Sequence, residues 1–140
     1  MRRIAIVINS LKNGGAEKQA VLLGCILAER CEVKIIVMRP GEGMSEKLLA
    51  LIDATEVDVT ALGDGGRRSG VRGLCDVFRE WKPDCVFGYL TYANLAAAVA
   101  GRICGVREIW QGLRNACIPD RKIAAEWYAN RLSTGAILNN

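Results

Sequence analysis

No histidine occurs anywhere in the 140 residues. Mechanisms that need an imidazole base, a His-Asp pair or a His metal ligand are thereby excluded within the chain. No two of the six cysteines (Cys25, Cys31, Cys75, Cys85, Cys104 and Cys117) stand in a C-x-x-C pair, so a zinc ribbon or thioredoxin-like site has no support and no metal is expected. No apolar stretch approaches the roughly 20 residues that span a bilayer. The basic start Met1-Arg2-Arg3 leads into an apolar run, Ile4 to Ile8, that stops at Asn9 and is too short for a signal-peptide core. These absences predict a cytoplasmic protein with reduced, mostly buried thiols. No basic run interleaves with aromatics, so the net charge of +4 carries no nucleic-acid signature. That mild excess is compatible with anionic ligands, with a membrane surface, or with ordinary solvated charge. There is no G-x-G-x-x-G fingerprint and no P-loop lysine arrangement, which removes dinucleotide and P-loop NTPase chemistry.

What is present is a regular alternation. Ile4–Ile8 is continuous and β-branched, as suits a strand buried on both faces. After the loop Asn9 to Gly15, Ala16 to Arg30 reads as a helix with Ala16, Ala20, Leu23 and Leu27 on one face, joined by Val21, Leu22 and Ile26, acid early and base late. Val33–Met38 is a second strand, Glu46–Ile52 a short helix, and Val57–Leu62 a third strand followed by a glycine-rich basic loop, Gly63 to Arg68. Val71–Trp81 is a helix closed by Pro83, Cys85–Tyr89 a fourth strand, Asn94–Cys104 an alanine-rich helix, and Arg107–Gln111 a fifth strand. Ala124–Leu132 is a helix, and Ala136–Leu138 begins a sixth strand. Strand–helix alternation with short connections predicts one α/β domain: a Rossmann-like, doubly wound parallel sheet in three layers. Because the last strand is met just as the chain stops at Asn139-Asn140, truncation is expected.

In such a sheet, ligands bind beyond the carboxyl ends of the strands. Gly14 and Gly15 lack β-carbons and lead into a helix whose first N–H groups are unpaired. This is either an anion site or a plain strand-to-helix turn. Arg114 follows the fifth strand, where a guanidinium binds phosphate bidentately or pairs with an acid such as Asp120. Arg67-Arg68 reads as a solvated loop or an acceptor-phosphate contact. Tyr89, Tyr92 and Asn94 fit a sugar site or, for the tyrosines, core packing. Trp81, Trp110 and Trp127 are expected to pack rather than to form sugar platforms.

The run from Ile4–Ile8 through Ser10-Leu11 and Gly14-Gly15-Ala16-Glu17 to Cys31-Glu32-Val33 resembles the opening of family 4 glycosyltransferases with the GT-B fold. Cys31 stands where that family usually has His. Lys82-Pro83-Asp84-Cys85-Val86 looks like its fourth-strand entry, Leu113-Arg114-Asn115 follows the fifth strand where many relatives carry a His, and Ala136-Ile137-Leu138-Asn139-Asn140 looks like the strand before its Asn-Ser-Glu. The resemblance implies one half of a GT-B enzyme: residues 1–140 as the N-terminal, acceptor-side domain, with the C-terminal donor-binding domain absent. It implies a nucleotide-diphosphate sugar as co-substrate, no cofactor, and an acceptor that is a glycan, a lipid-linked sugar or a small molecule. It further implies a cytoplasmic location, with peripheral contact at the inner face of the membrane compatible. By the same resemblance Gly14 and Gly15 approach the donor diphosphate, while Arg114, Asn115, Tyr92 and Asn94 meet the acceptor or its phosphate. No catalytic residue is assigned; Glu17 and Asp120 are the nearest carboxylates to act as base. Two readings compete with an enzyme half: a non-catalytic Rossmann-like module for a nucleotide or phosphorylated metabolite, and a regulatory interaction domain built on the same scaffold.

Overall fold

The computed structural model describes residues 1–63, 69–113 and 119–138. The strands are β1 (Arg3–Ile8), β2 (Glu32–Val37), β3 (Asp58–Ala61), β4 (Cys85–Tyr89), β5 (Glu108–Leu113) and β6 (Gly135–Leu138). Between them run α1 (Gly15–Leu27), α2 (Glu46–Asp53), α3 (Gly70–Trp81), α4 (Thr91–Ile103) and α5 (Asp120–Leu132), with a short 3₁₀ turn at Pro40–Glu42. The expected alternation is therefore present, and the elements shift only at their ends. Helix α1 closes three residues early, with the Cys31 N–H donating to the Leu27 carbonyl. Helix α4 begins at Thr91 rather than Asn94, because Leu90 turns the chain from β4 into the helix with no loop between them. Helix α5 likewise starts at Asp120, ahead of the expected Ala124.

All six strands are parallel, in the order β3-β2-β1-β4-β5-β6. This is the order of a doubly wound Rossmann-like sheet, in which winding reverses beside the first strand. Strand β1 is central, paired with β2 on one side and β4 on the other. Its alternate residues feed two cores. Ile4, Ile6 and Ile8 pack with Ala20 and Val21 of α1 and Leu48 and Ile52 of α2. Ala5 and Val7 pack with Leu74 and Phe78 of α3 and the alanine face of α4. That double burial is the reason for the unbroken apolar run. Gly24 lets α1 lie close: a β-carbon there would stand 3.3 Å from Ile35 Cδ1.

Polar groups clasp the opposite, amino-terminal edge. The Arg3 N–H donates to Asp84 Oδ2 at 2.9 Å, and its guanidinium reaches Glu32 and the Trp81 carbonyl. Among the described residues no helix is long and apolar enough to cross a membrane. The five described cysteines are free thiols; Cys117, like the loop 64–68, Arg114, Asn115 and Asn139-Asn140, lies outside the described residues.

Two measurements check this packing. Lys82 closes α3 in the left-handed conformation (φ 53°), so Lys82→Gly should raise stability by about 1 kcal/mol, or Tm by roughly 3 °C, in thermal denaturation. Burial pushes the Cys75 and Cys85 thiols up to about 11 from the ordinary 9.0. The folded chain therefore holds these protons where the unfolded chain releases them. Stability should be full below pH 9 and should fall as pH climbs to about 11. At pH 8, Cys75 and Cys85 should react with a thiol reagent more slowly than Cys25, Cys31 and Cys104.

Candidate functional site

Parallel order brings every strand's carboxyl end to one edge, and there the two windings part. Helix α1 leaves β1 toward one face, while α4 leaves β4 toward the other. Between them is a cavity of about 140 Å³, lined by Ala16, Gln19 and Leu23 of α1, Phe87, Tyr89 and Leu90 at the end of β4, Gly112 and Leu113 of β5, and Ile137 of β6. The start of α1 thus shares one pocket with the ends of β4 and β5, as the parallel alternation predicts. Whole small-ligand pockets run from roughly 300 Å³ upward, so this cavity by itself falls below that range. A wider, shallower cleft of about 580 Å³ opens beyond β2 and β3, between Arg39 and Gly70; its polar rim lies away from the winding reversal.

The glycine loop is held from below. Leu11 is fully buried and bridges to Met44, and the Ser45 N–H donates to the Leu11 carbonyl at 2.7 Å. Gly14, in extended conformation (φ −106°), gives its N–H to the Lys12 carbonyl and its carbonyl to Lys18. The loop's free donors therefore begin at Gly15, the exposed first residue of α1. Gly15 is absent from the glycines with positive φ, so its role rests on space and not on backbone strain. The Glu17 side chain folds back over Gly14. A carboxylate already stands at this helix start, where the helix dipole favours it, and an arriving anion has to displace it.

Leu90 is the one strained residue of the pocket. Its φ of 70° and ψ of 156° lie in a region used almost only by glycine. The strain holds the leucine side chain in the pocket wall while the next residue already begins α4. No pattern in the sequence marks it. Burial raises the Tyr89 pKa above 10.0, so this pocket phenol keeps its proton at neutral pH and can donate a hydrogen bond.

The other expected site residues are placed differently from one another. Tyr92 is exposed on the first turn of α4, with Lys122 Nζ 5.5 Å above its ring. Asn94 is only 1% exposed and lies behind the edge. Its Nδ2 donates to the Gly112 carbonyl at 3.2 Å, tying α4 to β5, while its Oδ1 has no partner. Trp81 and Trp110 pack against the cores as expected, but Trp127 does not: it is 54% exposed, because α5 turns Glu126 and Ala129 inward instead. Asp120 is exposed at the start of α5. Among the described residues, no group of three or more His, Cys, Asp or Glu is placed to hold a metal.

A six-stranded parallel sheet with this order and a pocket at its winding reversal defines a doubly wound, Rossmann-like domain. Solved structures share it across nearly the whole chain. MurG of Acinetobacter baumannii superposes over 99% of this chain and 41% of its own, with 15% identity and a TM-score of 0.73. Anabaena HepE in complex with UDP and glucose covers 97% of this chain and 38% of its own, at 17% identity and a TM-score of 0.73. The lipopolysaccharide outer core galactosyltransferase WaaB covers 97% and 38%, at 18% identity and a TM-score of 0.64. The chain thus spans about two fifths of the length of these proteins. No family model matches the sequence, and no curated protein matches it.

Gly88 sets the height of α4 above this edge: a β-carbon there would lie 2.8 Å from both Cα and Oδ1 of Asn94. Gly88→Ala should lift the first turn of α4 and cost about 1–3 kcal/mol. Denaturant unfolding gives the loss, and a lowered midpoint with unchanged slope is the expected form.

Proposed function

We propose that the chain is the N-terminal, acceptor-side half of a glycosyltransferase of the family 4, GT-B type. The full-length protein would move a sugar from a nucleotide-diphosphate sugar to a glycan or lipid-linked acceptor. The observation that carries this reading is the shared pocket, in which Ala16 and Gln19 from the first turns of α1 meet the ends of β4 and β5 at one edge of the sheet; Gly14 and Gly15 precede this wall in sequence and do not line the pocket. The likeness to HepE in complex with UDP and glucose, and to the galactosyltransferase WaaB, supports it.

In this reading the chain's own groups orient and stabilise. The N–H groups from Gly15 onward and the α1 dipole face the leaving diphosphate. Arg114 and Asn115 follow β5 in sequence and add an anion-binding pair. The Tyr89 phenol and the apolar wall of Phe87, Leu90 and Leu113 seat the acceptor and exclude water. Tyr92 stands at the outer rim, and Asn94 holds β5 in place behind the wall. With no histidine in the chain, a base from this half would have to be a carboxylate, and Glu17 is the carboxylate beside the loop.

The test is direct. The 140-residue chain, incubated with a panel of nucleotide sugars and acceptors, should release no nucleoside diphosphate, because it provides one wall of the cleft. In the polypeptide encoded by the full reading frame, Gly15→Val should lower turnover at least about ten-fold while leaving the thermal midpoint of this domain in place. Wild-type turnover by the Val variant would return Gly15 to an ordinary turn residue. Full-rate turnover by the 140-residue chain alone would overturn the half-enzyme reading.

A further inference from the structure

Helix α5 packs on α4 and β5 and carries an acid on its inner face. Glu126 is 9% exposed and is buried with Ala129. Among the described residues no ion pair reaches this carboxylate, and its Oε2 is buried without a hydrogen-bond partner. Lys122, one turn earlier, sends its ammonium over the Tyr92 ring instead. A buried carboxylate is costly unless a positive charge stands against it.

Two further oxygens enter the same wedge. Asn94 and Gln111 are each 1% exposed, and Asn94 Oδ1 and Gln111 Oε1 also lack partners. Gly88 and Gln111 are register partners on β4 and β5, so their β-carbon positions point to one face of the sheet, about 5 Å apart. Asn94 Oδ1 lies 2.8 Å from the place a Gly88 β-carbon would take, and therefore stands beside the Gln111 side chain. On the other flank Gln111 Nε2 donates to Asn130 Oδ1 at 3.0 Å, and Glu126 lies one turn before Asn130 on α5. The carboxylate and both amide oxygens thus lie on one side of β5, between α4 and α5.

The chemistry of these oxygens selects the ligand. Each amide turns its nitrogen to protein, Asn94 to the Gly112 carbonyl and Gln111 to Asn130, so acceptor oxygens are what remains. Acceptors cannot bond one another. A water has two hydrogens to offer three acceptors, and it leaves the negative charge unmatched. We propose that this wedge binds a monovalent metal cation, sodium or potassium, through Asn94 Oδ1, Gln111 Oε1 and Glu126 Oε2, with water filling its remaining positions. Hard cations take carboxylate and amide oxygens. A single positive charge matches the single carboxylate, whereas a divalent ion would leave net charge buried. The bound ion ties α4 and α5 to the carboxyl half of β5. It stands apart from the α1 pocket, and neither donor nor acceptor takes part in it.

The experiment is thermal denaturation of the 140-residue chain in choline chloride, sodium chloride and potassium chloride at equal ionic strength. No nucleotide sugar or acceptor is present, so failure here is separate from failure of the transferase reading. Sodium or potassium should raise the midpoint over choline by about 3 °C or more, saturably, once the cation is roughly ten-fold above its dissociation constant. The sodium NMR line should broaden with the chain and sharpen again when potassium chloride is added. Glu126→Gln keeps the shape and removes the charge. It should lose both cation responses, and in choline its midpoint should equal or exceed that of the wild type, because the unpaired buried charge is gone. A merely structural role for Glu126 predicts instead a lower midpoint in every salt. Glu80→Gln, at an exposed acid of α3, should keep both responses, and circular dichroism checks that the variants fold. Equal midpoints in the three salts, a cation response retained by Glu126→Gln, or a greater rise with calcium chloride than with sodium and potassium would overturn the proposal.

Discussion

The pairing of β1 with β4 is the contact on which the rest of this molecule depends. Ile4 to Val7 lie against Cys85 to Gly88, residue for residue, in the middle of the sheet. On one side of this seam the chain winds outward through β2 and β3, on the other through β5 and β6. The helices that follow the two central strands therefore leave toward opposite faces, and a gap opens where they part. Gly88 makes the seam possible at its upper end, because only a bare Cα lets Asn94 and the first turn of α4 settle so near the strand. The pocket is thus a consequence of winding, and the side chains around it tune a space that topology creates.

The same seam explains why the site joins order with strain. Leu90 occupies a glycine-like conformation because β4 must turn into α4 within one residue if Asn94 is to reach the Gly112 carbonyl. Strain of this kind costs about 1–3 kcal/mol and persists only where surrounding structure enforces it. Here the enforcing elements are the fully buried Ala93, the alanine face of α4 and the close Gly101–Ile109 contact. Among the described residues, buried acceptor oxygens without partners on Asn94, Gln111 and Glu126 belong to α4, β5 and α5. Buried acceptors normally find a donor, so these elements carry a polar cost alongside the apolar contacts that hold them. The acidic residue turned inward on α5 and the aromatics turned outward are two sides of one helix orientation.

Much of this was legible before any coordinates. The β-branched run at Ile4–Ile8, the Gly14-Gly15 turn, the Pro83 stop and the alanine-rich segment each report a local physical requirement, and each marks its element within a few residues. Helix α1 shows the limit of that reading. Its helical period points to Ala16, Ala20, Leu23 and Leu27, joined by Val21, Leu22 and Ile26; Ala16, Ala20 and Val21 are buried and Leu23 and Leu27 pack half-buried against the core, whereas Leu22 and Ile26 face solvent and Gly24 is buried instead. The face turns toward Gly24 because only there can the helix backbone approach Ile6 and Ile35. Trp127 shows the same limit: an aromatic at helical spacing reads as core, but the surface it covers is chosen by how α5 is rolled against α4.

Sequence alone determined the layers, the parallel alternation and the one edge that carries the strands' carboxyl ends, because these follow from local periodicity, turn chemistry and the handedness of crossovers. It also determined a chemical exclusion, since a chain without histidine has none to offer at any fold. Only the tertiary structure decided which strands neighbour one another, that Asn94 spends its amide on β5, that Leu90 walls the pocket, and that α5 faces its aromatics outward. Those outcomes depend on contacts between residues far apart in the chain, and no local pattern encodes the distance across which such residues meet.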